Sequence, residues 1–234
     1  MDETLRAQLL QVSAATLCTA LFMRGLRNVF LQDVHPIRAD LRMCGPAMTL
    51  RAIPAREDLD HLGVFADPEH PQRKAIDTCP AGFVLVVDSR GDARAASAGD
   101  ILVGRLKARG CAGIVTDGGF RDTPAIGRLG FPAYHRRPSA PTNLVHHHMV
   151  DIDVPIGCGG VAVYPGDVVV GDGEGVVVVP RAIAAEVARE AIAMSRFEDW
   201  VAAQVAAGRP IRGLYPPDPA TRAEYEAWQA SRKG

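Results

Sequence analysis

The sequence predicts an α/β protein built around a parallel βαβ unit at residues 83–116. Three observations carry that expectation. "FVLVV" (83–87) is a continuous apolar run of strand length, "GDILVGRLKARG" (99–110) has the amphipathic spacing of a helix ended by Gly110, and "AGIVT" (112–116) is a second strand-like run. Two strands joined through one helix over so short a span imply a parallel crossover. At 234 residues the chain can bury a substantial core, and a single domain over 1–234 is expected.

The other elements follow in order. Leu5, Leu9, Leu10, Val12, Ala15, Leu17 and Leu21 recur at helical spacing and close at Gly25, which predicts one helix over 3–24. "GPAMTLRAI" (45–53) alternates like a half-buried strand. The charged, proline-dotted segment 54–80 holds a short helix after Ile76 or none. Beyond the βαβ unit, strands are expected around 131–134 and 150–154, and a hairpin where Val168–Val170 and Val176–Val179 flank "GDGEG". Residues 181–207 read as an alanine-rich helix, and the tail as a proline turn and a short last helix in which Tyr225 and Trp228 pack.

Composition narrows the function classes. With 26 basic and 27 acidic residues the formal charge is −1, so no global field favours a nucleic-acid backbone. Five widely spaced cysteines without a CxxC pair argue against a disulfide framework or structural zinc and fit a reducing cytoplasm. No apolar run approaches membrane-spanning length, and the N-terminus has no signal-peptide pattern, so a soluble, unexported protein is expected.

"TDGGFRD" (116–122) sets Asp117, Arg121 and Asp122 around a glycine pair at the end of the second strand. In a parallel βαβ unit the C-terminal ends of both strands and the helix N-terminus share one sheet edge. Asp100 and the free N–H groups of Ile101 and Leu102 are therefore expected to face the same crevice as Asp117, Arg121 and Asp122. The helix N-terminus and a bidentate arginine suit a small carboxylate. Asp122, helped by Asp100 or Asp117, offers hard oxygens suited to Mg²⁺ or Mn²⁺. A surface ion pair, a helix cap and a tight glycine turn are the competing explanation of the same residues.

The stretch "AGDILVGRLKARGCAGIVTDGGFRD" (98–122), with "CGPAMTLRAIPAREDLD" (44–60), "VPIGCGGVAVYPGDVVVGDGEGVVVVP" (154–180) and "AAGRPIRGLYPP" (206–217), resembles the class II 4-hydroxy-4-methyl-2-oxoglutarate aldolases and the related RraA-like regulators of ribonuclease E activity. The resemblance implies an α/β fold of sandwiched β-sheets with flanking helices, homotrimers or homohexamers, and a site at a subunit interface. The helical extension from about residue 181 would take part in subunit contacts. It also implies divalent-metal cleavage of a 4-hydroxy-2-oxo acid to pyruvate and a second carbonyl product, with oxaloacetate decarboxylation as a side activity. Arg121 would then bind the pyruvyl group, Asp122 would ligate Mg²⁺ or Mn²⁺, Asp100 would orient water on the metal, and Ile101 and Leu102 would give backbone amides to the carboxylate. Glu198 is the candidate for the metal-site glutamate that a neighbouring subunit contributes. One position departs from the aldolase pattern: Ala125 stands where an acid is usual.

Rival constellations are weaker. A Schiff-base route needs a desolvated lysine, and Lys74, Lys107 and Lys233 are expected in a charged loop, on a polar helix face and beside the C-terminus. In "HHH" (146–148) only His146 and His148 would share a face. Cys158 in "GCGG" lacks an evident base, "GDGEG" lacks spaced calcium ligands, and no GxGxxG joins the first strand to its helix. From a different class, a non-enzymatic protein that binds and inhibits a ribonuclease is the alternative, against which the joint presence of Asp100, Arg121 and Asp122 argues.

Overall fold

The computed structural model describes residues 1–232. The chain runs through α1 (Glu3–Leu9), α2 (Ala14–Met23), β1 (His35–Pro36), β2 (Met43–Pro54), a 3-10 turn at Leu62–Ala66 and α3 (Pro71–Thr78). Its centre comprises β3 (Val84–Asp88), β4 (Ala96–Ala98), α4 (Asp100–Ala108), β5 (Gly113–Thr116), β6 (Gly119–Phe120), α5 (Thr123–Arg128), β7 (Ala133–His135) and β8 (Arg137–Pro138). Then follow β9 (His147–Ile152), β10 (Ile156–Cys158), β11 (Val161–Val163), β12 (Val168–Gly171), β13 (Val176–Val179), α6 (Ala184–Ala206) and α7 (Pro219–Ser231).

The main sheet has the order β1-β7-β5-β3-β2-β12-β13, with β9 also paired to β2. β2, β3, β5 and β7 are mutually parallel, as the βαβ pattern requires. β2 is too long for one partner on its second edge: Met43–Pro46 pairs with β12 and Leu50–Pro54 with β9, both antiparallel. The first eight residues of β2 are buried, rather than alternating as the sequence suggested, because both faces of the sheet are covered. Leu85 and Val87 of β3 pack with Ile76, Val103, Leu106 and Ile126 of α3, α4 and α5. Val84 and Val86 point the other way, onto Val115, Tyr134, Val169 and the β10–β11 hairpin through Ile156, Cys158, Val161 and Val163. β-branched residues suit a strand buried on both faces. The result is a mixed α/β fold of layered sheets with flanking helices.

Two helical expectations are corrected. The helix foreseen over 3–24 is two helices bent by 103°, because Ser13 caps α2 by accepting from the Thr16 N–H at 3.0 Å. The bend brings Leu9, Val12, Leu17 and Leu21 onto Val187, Ala188 and Ala191 of α6. The helix foreseen after Ile76 instead ends at Thr78, starting on Pro71 and burying Gln72, Ala75 and Ile76. Lys74 consequently stands on a helix and not in a loop. The tail behaves as read: Tyr225 and Trp228 of α7 pack against Phe197, Trp200 and Leu214. No single helix is long and apolar enough to cross a membrane, among the described residues.

Candidate active site

A second, smaller sheet builds the site. After β3, β5 and β7 leave the main sheet, the chain continues into β4, β6 and β8, which pair in parallel as β4-β6-β8. α4 starts directly after β4 and α5 directly after β6, so Asp100 and Arg121-Asp122 emerge at one edge. The glycine pair in "TDGGFRD" is required by close approach and not by a left-handed turn. A Cβ on Gly118 would stand 2.6 Å from Ser89 Cβ, and one on Gly119 2.6 Å from Ser139 Cβ. Below them Ser89, Ser97 and Thr116 form a buried hydroxyl cluster with spacings of 2.7 to 3.0 Å, tying β3, β4 and β5 together.

Asp100, Ile101, Leu102 and Arg121 line one cavity of about 480 Å³. Asp122 stands beside it: its Oδ2 lies 3.4 Å from Arg121 Nε, and a Cβ on Gly99 would lie 3.0 Å from both atoms. Asp122 has φ 57° and ψ 31°, a left-handed conformation that aspartate tolerates better than most residues, and it precedes α5. Arg121 is tied to β4 through its N–H, which donates to Ala98 O at 3.1 Å. The Leu102 N–H belongs to the first turn of α4, whose donors have no intrahelical acceptor. The Ile101 N–H departs from expectation, because it donates to Asp100 Oδ1 at 2.9 Å. A ligand carboxylate would have to displace Asp100 to use it.

One residue of the expected crevice, Asp117, goes elsewhere. Asp117 is buried and accepts from the backbone N–H groups of Ser89, Gly91 and Gly159 at 2.7, 2.8 and 3.3 Å. Burial pushes its carboxyl up and those donors pull it back. Asp117 lies in the link between β5 and β6, and its three backbone donors hold it inward as a structural knot. Glu198, on α6, takes hydrogen bonds from the Thr16 and Tyr215 hydroxyls at 2.9 and 3.2 Å, and it does not line the cavity of its own chain.

The weaker constellations resolve structurally. His147 is the buried histidine of the triplet, whereas His148 Nδ1 is 2.9 Å from Asp60 Oδ1. Cys158 is buried before Gly159 and Gly160, both at positive φ, and burial raises its thiol far above the ordinary range. Asp172 of "GDGEG" accepts from the Ala14 N–H at 2.8 Å, holding the start of α2.

The opposite wall of the cavity escaped sequence reasoning. It consists of Leu62, Phe65, Gln72 and Arg73 from the segment 54–80, with Thr142 and Asn143. The only local signal was the amphipathic spacing of Gln72, Ala75 and Ile76, diluted by flanking charges. As a donor set, Asp100 and Asp122 provide hard oxygens that fit Mg²⁺ or Mn²⁺. Among the described residues no group of three or more His, Cys, Asp or Glu side chains converges. The residues of this chain therefore fit a cation that keeps most of its water.

Known proteins share this architecture. The RraA-like family, described as Aldolase/RraA, matches residues 14–178. A protein of Halalkalibacterium halodurans named "Putative 4-hydroxy-4-methyl-2-oxoglutarate aldolase" is 35% identical over 166 residues, which is 71% of this chain and 72% of that protein. Streptomyces coelicolor RraAS2, described as an unusual member of the RNase ES inhibitor RraA protein family, has a crystal structure that aligns with a TM-score of 0.75 at 34% identity, over 86% of this chain and 96% of its own. A Pseudomonas syringae structure, at 24% identity, shares the fold with a TM-score of 0.78 over 92% of this chain and 98% of its own. The family match spans both sheets and the cavity between Asp100 and Arg121, and the chain belongs to the RraA-like (Aldolase/RraA) family.

Proposed function

We propose that the protein is a class II lyase that cleaves a 4-hydroxy-2-oxo acid, of the 4-hydroxy-4-methyl-2-oxoglutarate type, to pyruvate and a second carbonyl product, with oxaloacetate decarboxylation as a side activity. One observation carries it: the first turn of α4 with Asp100 and the Arg121 side chain line one cavity, and the Asp122 carboxylate stands 3.4 Å from Arg121 Nε. A divalent cation, when bound, supplies the electron sink for the enolate left as the C3–C4 bond breaks. Asp122 and Asp100 are the residues that would hold it. Arg121 forks the substrate carboxylate, and the Leu102 N–H with the positive end of α4 adds a second anchor. Asp100 is positioned to orient water as the base that takes the proton of the 4-hydroxyl. Among the described residues lysine chemistry has no local candidate: Lys107 donates to Leu129 O, Lys74 pairs with Glu69, and neither lines the cavity; Lys233 lies outside the described residues.

The test is a panel of 4-hydroxy-2-oxo acids plus oxaloacetate, assayed for pyruvate after EDTA treatment and after Mg²⁺ or Mn²⁺ is restored. Metal-restored pyruvate is the expected result. Full activity in chelator removes the metal from the proposal, and no pyruvate from any substrate removes the lyase. The working unit in this proposal is a homotrimer or homohexamer with Glu198 reaching a neighbouring site, so sedimentation should show little material near 25 kDa.

A second reading rests on the likeness to RraAS2: a non-enzymatic partner that inhibits a ribonuclease. Stoichiometric inhibition of an RNase E-type enzyme, with no pyruvate formed from the panel, would favour it.

A further inference from the structure

The wall formed by segment 54–80 carries a second cation into the cavity. Arg73 lies on α3, and its guanidinium carbon sits 4.2 Å from the Phe65 ring centroid. Stacking holds the fork in one plane while leaving its N–H edges free for a ligand. Its neighbours are paired and it is not. Lys74 bonds Glu69, and Asp77, one helical turn from Arg73, is taken by Arg105 at 2.8 Å. Among the described residues no carboxylate lies within 4.0 Å of Arg73.

Two guanidiniums thus line one cavity, Arg73 from α3 and Arg121 from the link between β6 and α5. Burial first, and the charge of Arg121 second, hold Arg73 below the usual guanidinium range. Like charges in a shared, partly dry cavity are relieved by an anion that reaches both. Beside Arg73, Gln72 and Asn143 line the same cavity, each nearly fully buried, and each leaves a polar atom without a partner: Gln72 Oε1 and Asn143 Nδ2. The first is an acceptor suited to a hydroxyl, and the second a donor suited to a carboxylate oxygen.

We infer that Arg73 is the specificity residue for the second carboxylate, the one on C4 that a 4-hydroxy-4-methyl-2-oxoglutarate-type acid carries, and that it sets how strongly the site prefers such dicarboxylates over 2-oxo monocarboxylates. The inference rests on the cavity being a 2-oxo acid site. Arg121 takes the end that every such acid has, and Arg73 takes the end that distinguishes them. Phe65 and Leu62 give the C4 substituent an apolar flank.

The test uses binding of uncleavable probes, so it does not depend on turnover. Full-length wild type, Arg73→Gln and Arg73→Lys are titrated calorimetrically, with Mg²⁺ saturating, against 2-oxoglutarate and against 2-oxopentanoate, which has the same length but no distal carboxylate. Wild type should prefer 2-oxoglutarate by tenfold or more. Arg73→Gln should weaken 2-oxoglutarate roughly 10- to 100-fold and leave 2-oxopentanoate within about threefold, with Arg73→Lys between. Equal affinity of wild type for the two probes overturns the inference. So does a parallel loss of both in Arg73→Gln, which would make Arg73 a structural partner of Phe65. If the preference is seen but the substrate panel yields no pyruvate, the lyase proposal fails and the dicarboxylate subsite stands. If pyruvate forms without the preference, or with neither probe binding, the subsite fails alone; if neither probe binds and no pyruvate forms, both fall.

Discussion

Gly99→Ala probes the Arg121–Asp122 arrangement without removing either residue. Gly99 has φ −121° and ψ −177°, extended backbone that alanine adopts freely, so the new methyl acts only through contact. It would stand 3.0 Å from Arg121 Nε, 3.0 Å from Asp122 Oδ2 and 3.1 Å from Arg121 Cγ, where carbon prefers about 3.5–4.0 Å. Both side chains must withdraw by roughly half an ångström. They can do so cheaply, since each is about half exposed. The stability cost is then mainly that of alanine for glycine at the helix N-cap, about 0.5–1 kcal/mol, which lowers Tm by roughly 1–4 °C in a chain of this size. Activity should suffer more. A misplacement of about 1 Å costs on the order of 100-fold, so half of that predicts roughly a 5- to 50-fold fall in kcat/KM for pyruvate formation. The assay pairs steady-state kinetics at saturating Mg²⁺ with a thermal melt. Unchanged kcat/KM in a folded Gly99→Ala protein would show that the guanidinium and carboxylate beside Gly99 are not the working pair.

Gly104→Ala is the matched control: nothing lies within 4 Å of the added methyl, and a mid-helix alanine should stabilise the protein by about 0.5–1 kcal/mol with unchanged kinetics. Asp117→Asn turns an amide N–H₂ toward backbone donors that now point at carboxylate oxygens, and should cost about 2–4 kcal/mol in urea denaturation whether or not metal is present. His135, stacked on Phe120 at 5.5 Å, is lowered to about 4 by burial first and by His35 second. Its folded form resists protonation, so the unfolded chain binds more protons below the ordinary value of about 6.5, and stability falls as pH drops from there toward 4. Between pH 7.5 and pH 5 wild type should lose about 2 kcal/mol more than His135→Leu, read from urea midpoints; equal slopes would refute the assignment.

Legibility in the sequence followed the range of the forces. β3, α4 and β5 were readable because apolar runs and an amphipathic helix are local patterns, and Gly110, at φ 75°, closes α4 as its position implied. β4, β6 and β8 have three residues or fewer, and no periodicity is visible in so short a strand. Their pairing is created by the parallel order of the strands before them. The break at Ser13 was misread for the opposite reason. Apolar spacing carried across it, and only packing onto α6 makes the capped turn the better solution. In the candidate site, the nearness of Asp100 to Arg121 and Asp122 was readable because α4 of the βαβ unit starts, and the chain just past its second strand runs, at the same sheet edge. Asp117 turns inward for a reason that no local pattern carries: its partners Gly91 and Gly159 are 26 and 42 residues away.

The second sheet bears on how such a site acquires a substrate preference. Ligands of open parallel sheets sit beyond the strand ends, at the first turns of the following helices. Here β4 and β6 carry the chain past those ends before α4 and α5 begin, so the candidate site is set on a platform beyond the main sheet. The platform is anchored by buried hydroxyls and close glycine contacts, and it has little freedom to vary. α3 packs against α4 and β9, and it presents Gln72 and Arg73 to the cavity from outside the platform. Under the proposed function, a rigid wall that handles the feature shared by all 2-oxo acids and a separately docked helix that handles the variable end would let one side chain on α3 alter selectivity without disturbing the chemistry. Arg73→Gln and Gly99→Ala should therefore separate cleanly: the first changes which acid is bound, the second how fast any of them is cleaved.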